Sequence, residues 1–351
     1  MDIKKVCKTC GVPLVVSKSH IWNPDGTITQ RRDPDHRLIF FESDSFNELF
    51  KNIENLIGLP LEKIVIESKA RATKEYVKKL LPGARGLIAR IIGLRRIAQR
   101  VIDQGKILGY GKIMLLGYSW KENYITVEIE NPYSLPLFCG DLRGANEAVK
   151  NVSGTVAYQE IRPGKFQVKA FLKEHAPELR ERLRREQLPR KKGDITYHRC
   201  PSCNIPIEIS NFKWDFDSGI ISQKETGLRM AILGPDGIQA VLDELEAELG
   251  ETIPEVIIKA QKMHVLEKIQ PRWKYANEGD IRNWLAIQGL GNLVSLEAEG
   301  DRYSARIENP CLPLLIAGTG AAFYEFLIGK SCSMSWKVEE DGDLILSFEP
   351  A

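Results

Sequence analysis

Apolar positions along the chain change period several times, and each change marks an element. Ser45 precedes Phe46, Leu49, Phe50, Ile53 and Ile57. Steps of three and four put these on one helix face, with Ser45 as cap and Gly58 as the terminating glycine. Ile238, Val241, Leu242, Leu245 and Leu249, followed by Gly250, repeat the stripe later in the chain. The run Ile64-Val-Ile-Glu-Ser-Lys-Ala-Arg-Ala72 reads as the start of a second helix, with a strand as the alternative. Period two governs Tyr124-Ile-Thr-Val-Glu-Ile129, which stops at Asn131-Pro132, and Phe166-Gln-Val-Lys-Ala-Phe171, which follows the Pro163-Gly164 turn. Val12 to Ser17 reads as a strand, and Asn23-Pro-Asp-Gly26 and the segment ending at Gly219 read as hairpin turns. Helices followed by antiparallel strands define an α+β fold.

The same order of signals occurs twice. Cys7-Lys-Thr-Cys10-Gly-Val-Pro13-Leu matches Cys200-Pro-Ser-Cys203-Asn-Ile-Pro206-Ile at an offset of 193 residues. Gly26 then pairs with Gly219, Gly58 with Gly250, Gly109-Tyr-Gly111 with Gly289-Leu-Gly291, and Ile129-Glu-Asn-Pro132 with Ile307-Glu-Asn-Pro310. A collinear series of this kind indicates two tandem copies of one helix-plus-antiparallel-sheet module. The expected division is a first module over 1–172, a charged linker over 173–194 and a second module over 195–351. The linker alternates Glu with Arg and ends in Pro189-Arg-Lys-Lys-Gly193, the pattern of a solvated connection.

Composition narrows the function. The chain has 351 residues, 43% hydrophobic and 27% charged, with a formal net charge of +2. That balance gives no global case for nucleic acid. No apolar run approaches the roughly 20 residues of a membrane span, and the N-terminal residues carry no apolar signal core. Four of the seven cysteines lie in two Cys-x-x-Cys pairs, which suits metal binding in a reducing compartment, so a cytoplasmic location is expected.

Each Cys-x-x-Cys turn can aim two thiolates at one metal, half of a tetrahedral zinc site. Neither repeat has a second local pair. The economical arrangement therefore joins Cys7 and Cys10 to Cys200 and Cys203 around one structural zinc that clamps the repeats, with His20 and His198 as reserve ligands. A redox dithiol, an iron–sulfur cluster and metal-free knuckles are the competing readings. Cys139, Cys311 and Cys332 sit in apolar surroundings and read as buried small residues, and His36 and His264 as packed or surface histidines.

The series Glu130-Asn-Pro132-Tyr-Ser-Leu-Pro136-Leu-Phe-Cys139-Gly-Asp-Leu-Arg-Gly144, then Gly154, then Tyr158-Gln-Glu160, resembles the 4-vinyl reductase domain family. Its members are also described as predicted hydrocarbon-binding proteins, and sensory domains of phenol-responsive activators belong among them. The second copy, Glu308-Asn-Pro310-Cys-Leu-Pro313 and Gly318-Thr-Gly320, is a weaker match. The resemblance implies the fold of nitric-oxide-signalling and Golgi-transport ligand-binding domains, in which helices and a twisted antiparallel sheet enclose an apolar pocket. It also implies places for a zinc-binding cysteine and glutamate at Cys139 and Glu160. The two later cysteines of that site are missing, so the site is not expected here; Cys311 and Cys332 make an equally incomplete set in the second copy.

No phosphate loop or nucleophile–base motif is visible, so the leading expectation is a binding protein for a hydrophobic small molecule rather than an enzyme. The alternatives are an enzyme or accessory factor acting on a tetrapyrrole or other hydrophobic substrate, and a scaffolding protein with a protein partner. Ala84 to Arg100 is a basic amphipathic stretch that reads as a helix over the first pocket, and Arg272-Trp-Lys-Tyr275 replaces it in the second copy.

Overall fold

In the computed structural model, residues 4–80, 94–119, 121–150, 152–172 and 189–351 are described. The first half runs α1 (Leu14–Ser19), β1 (His20–Trp22), β2 (Ile28–Gln30), β3 (Asp33–Glu42), α2 (Ser43–Ile57) and α3 (Glu62–Leu80). It continues with α4 (Leu94–Ile107), β4 (Lys112–Ser119), β5 (Tyr124–Glu130), α5 (Leu135–Lys150), β6 (Gly154–Arg162) and β7 (Lys165–Leu172). The second half runs from a 3-10 turn (Ile207–Asn211) through β8 (Phe212–Asp215), β9 (Ile220–Gln223), β10 (Arg229–Leu233), α6 (Pro235–Leu249) and α7 (Ile253–Lys268). It ends with α8 (Glu278–Gln288), β11 (Asn292–Glu299), β12 (Arg302–Glu308), α9 (Pro313–Ile328), β13 (Cys332–Val338) and β14 (Leu344–Pro350). This is a mixed α+β chain with antiparallel sheets, as the periodicity indicates.

Most sequence-read elements are present, with three differences. Val12 to Ser17 is not a strand: Pro13 leads into the short helix α1, and tertiary packing overrides the strand preference of Val15 and Val16. Ser45 lies inside α2 rather than capping it, and its hydroxyl reaches Gln261 of α7. Leu135 to Lys150 is a sixteen-residue helix that strand-oriented reading passed over. Pro136 falls in its first turn, where a missing N–H costs no helical bond. Gly58 closes α2 in the left-handed conformation (φ 73°), whereas Gly250 also has positive φ (104°) but with ψ 177° lies outside the left-handed helical well. The amphipathic stretch of 84–100 lies outside the described residues up to position 93 and continues as α4.

The strands form three sheets. Two four-stranded sheets, β4-β5-β7-β6 and β11-β12-β14-β13, belong to one half each. The six-stranded sheet, β1-β2-β3-β10-β9-β8, takes three strands from each half, joined where Phe41 pairs with Ala231 and Phe40 with Ile232. Helices cross over in the same sense: α2 of the first half packs on α7 of the second, and α6 packs on α3. Asn52 donates to the Ala260 carbonyl (3.2 Å) and Arg71 pairs with Glu244 (2.5 Å) along these two seams.

The exchange is fixed by matching polar contacts. Trp22 donates its indole N–H to the Ile287 carbonyl, and Trp214 donates to that of Ile107. Arg37 donates to the Asn309 and Pro310 carbonyls (2.7 and 3.2 Å), while Arg229 donates to those of Asn131 and Pro132 (2.5 and 3.1 Å). The turn glycines approach backbone so closely that a Cβ on Gly26 would lie 2.3 Å from the Gly291 oxygen, and one on Gly219 2.2 Å from that of Gly111. No other residue fits there. The start of each half thus packs on the end of the other.

The described end of the linker, Pro189 to Asp194, is largely exposed, yet tied at several points to both halves. Lys191 pairs with the fully buried Asp343 (2.7 Å) and exchanges backbone bonds with the Asn309 side chain, while Arg190 reaches Asp25 and Thr27. Residues 173–188 lie outside the described part.

Candidate metal centre and apolar cavity

Each cysteine pair sits on a tight turn built the same way. Cys7 N–H donates to the Val12 carbonyl (2.8 Å) and Gly11 N–H to that of Cys7 (2.9 Å). Cys200 N–H donates to Ile205 and Asn204 N–H to Cys200, both at 2.8 Å. The turns close through a left-handed residue, Gly11 (φ 76°) in one and Asn204 (φ 60°) in the other. Glycine and asparagine tolerate that conformation best, which explains the choice of residue after each second cysteine.

The two turns face each other across the approximate twofold relation. Cys7 Sγ lies 3.8 Å from Cys200 Sγ, Cys10 Sγ lies 3.5 Å from Cys203 Sγ, and Thr9 and Ser202 share a hydroxyl hydrogen bond of 2.6 Å. All four sulfurs lie within 4.8 Å of one another. A regular tetrahedron of thiolates about 2.3 Å from a zinc ion has edges of about 3.8 Å. The donor set therefore has the chemistry and the spacing of a four-thiolate metal site. The sulfurs are much too far apart for disulfides, which need about 2.0 Å. Three of the four cysteines are buried and Cys203 is half-buried, among Val12, Tyr197, Ile205 and Ile209.

Electrostatics favour a cation at this place. The N–H groups of Cys10 and Thr9 hold the Cys7 thiol down to about 6, while burial pushes the thiols of Cys10 and Cys203 up. Gathering several thiolates inside an apolar cluster needs a compensating positive charge, which a bound dication would supply.

The other candidate ligands are elsewhere. Among the described residues, these four cysteines are the only group placed to share a metal. His20 is buried with Nδ1 on the Val16 carbonyl (3.1 Å), and burial pushes its imidazole down to about 4. His198 is exposed. Cys139 and Cys311 are core residues whose thiols burial drives up to about 12 and about 11. Cys332 is half-buried at the start of β13, and Glu160 accepts the Gly164 N–H. His36 stacks on Tyr76 with ring centroids 4.3 Å apart. His264 is buried in α7, 3.7 Å from Glu42.

Of the apolar pockets expected between helices and sheet, one cavity is found in the second half. It measures about 110 Å³ and lies between α8, α9 and the sheet β11-β12-β14, with Phe41 of β3 reaching across from the first half. Leu293, Ala305, Ile307, Leu315 and Leu346 make its deep wall, and Trp284 and Phe323 its outer wall. Thr319 brings a hydroxyl whose oxygen takes a hydrogen bond from Gln261 Nε2 (3.3 Å).

The corresponding place in the first half is built differently. Gly140 and Gly318 occupy matching positions, each against the neighbouring helix, α3 or α7. The next residue is Asp141 in one half and Thr319 in the other. Asp141 accepts from Tyr133 and Thr73, both at 2.7 Å, and pairs with the buried Lys69 at 3.3 Å. An ionic network thus stands where the second half has only hydroxyl and amide groups.

No helix among the described residues is long and apolar enough to cross a membrane. In comparisons with models of known protein families and with curated proteins, the chain matches none.

Proposed function

We propose that this protein binds a small apolar molecule and that a zinc ion held by Cys7, Cys10, Cys200 and Cys203 staples its two halves. The observation that carries the ligand reading is the apolar cavity of the second half, about 110 Å³ and lined almost wholly by aliphatic and aromatic side chains. Cavities of this kind stay dry and take apolar guests of about one ring in size. That size favours a single-ring or short branched compound over a tetrapyrrole, and an unfilled interior favours ligand binding over a purely scaffolding role. The zinc reading is supported by sulfur spacing, burial and the absence of any disulfide distance. The matched element order and matched contacts support descent of both halves from one module, and the resemblance to the 4-vinyl reductase family agrees with an apolar guest. The test is calorimetric titration of the full chain with fluorobenzene: saturable one-to-one binding supports the reading, and no heat or only non-saturating partition sinks it.

A further inference from the structure

The cavity has one wall that can open. Its floor is hydrogen-bonded sheet, which cannot part without breaking the β11-β12-β14 ladder. Between α8 and α9, however, the wall consists of side chains: Trp284 and Phe323 meet with ring centroids 5.9 Å apart, and both are half-exposed. A third ring, Trp273, lies against this seam without lining the cavity. It packs edge-on against Trp284 (5.9 Å) and Phe323 (5.1 Å).

Trp273 sits on the 3-10 turn Pro271–Tyr275, which joins α7 to α8. The turn is closed by local backbone hydrogen bonds, Trp273 N–H to the Gln270 carbonyl and Ala276 N–H to that of Trp273. Apart from the ring contacts of Trp273, the turn reaches another element through the ion pair of Arg272 with Glu225 (3.0 Å), and both side chains are exposed. An exposed pair of this kind contributes little. The ends are firm by contrast: α8 begins with a complete capping box at Asn277 and Asp280. A weakly tethered turn between two firm helix ends carries the ring that covers the seam.

We propose that Trp273 is the gate of this cavity: the Pro271–Tyr275 turn swings outward to let an apolar ligand pass between Trp284 and Phe323. The proposal rests on the ligand-binding reading. Its signature is kinetic, because a group that covers the entrance without lining the interior controls rates of entry and exit together and leaves affinity nearly unchanged.

The experiment is fluorine NMR exchange spectroscopy of fluorobenzene with the full chain and with Trp273→Ala, Trp273→Phe and Arg272→Ala. Expected are an exchange rate raised about tenfold or more in Trp273→Ala with a dissociation constant within about threefold, near-parental exchange in Trp273→Phe, and a small acceleration in Arg272→Ala. Binding with an unchanged exchange rate in Trp273→Ala overturns the gate and leaves the cavity reading standing. Absence of binding in the parent chain removes that reading and the gate with it. Should Trp273→Ala fail to fold, unchanged exchange in Arg272→Ala overturns the proposal.

Discussion

Cys10 Sγ stands 3.5 Å from Cys203 Sγ, although 193 residues of chain separate them. Neither turn alone offers more than two sulfurs; the pairing of the halves brings all four together. Protein purified without added metal is therefore expected to hold one zinc per chain by elemental analysis, and Cys200→Ser to lose it. The thermal midpoint of that variant should fall by about 5–10 °C, because metal binding adds directly to folding stability. Two zinc ions per chain, or retention of metal in the variant, would show that each turn recruits other ligands.

His20 gives the acid dependence a measurable component. Its imidazole is pushed down to about 4 by burial, from an ordinary value of 6.5. The unfolded chain binds this proton first, so stability is complete above about pH 6.5 and declines as pH falls towards 4. By about pH 5 the loss from this group is about 2 kcal/mol. Urea unfolding near neutrality and near pH 5 should show a smaller acid loss in His20→Asn; an identical loss would mean that His20 is protonated in the folded chain.

Arg37 and Arg229 hold the exchanged hairpins by donating to carbonyls at Asn309-Pro310 and Asn131-Pro132. Methionine keeps most of the side-chain length but leaves those acceptors unpaired. Each substitution is expected to lower unfolding free energy by about 2–3 kcal/mol in denaturant titration. A change below about 0.5 kcal/mol would reduce the clamps to surface contacts.

Ala305 lines the cavity on β12, and Val127 occupies the matching place on β5. Ala305→Ile should fill the space, raising stability by about 1 kcal/mol while abolishing fluorobenzene binding. Binding that survives this substitution would place the ligand elsewhere.

The sequence revealed the parts that depend on neighbouring residues. Cysteine spacing, the Phe46-to-Ile57 stripe, the Gly58 end and the Pro163-Gly164 turn are local signals, and each has its counterpart in the structure. The convergence of the four cysteines could be reasoned from their odd division into half-sites. The exchange of hairpins could not, since pairing β3 with β10 depends on which of two similar sheet edges Phe40 and Phe41 reach. Helix α5 was obscured by Pro136 in its first turn and Pro132 just before it, and α1 by its β-branched valines. The size of the cavity could not be read, because empty space is a property of packing, here among small residues such as Ala305 and Gly320 in its lining.

The exchanged hairpins also bear on how the chain is made. Trp22 waits for Ile287 and Arg37 for Asn309, partners that leave the ribosome 265 and 272 residues later. At roughly 5–20 residues per second, the first hairpin spends on the order of 13–55 seconds in the cell before its own packing surface exists. Trp22 and Phe40 lack their second-half partners Ile287, Phe212 and Trp214 for that interval. The exchanged hairpins can therefore close only after the partner segments of the second half have been made.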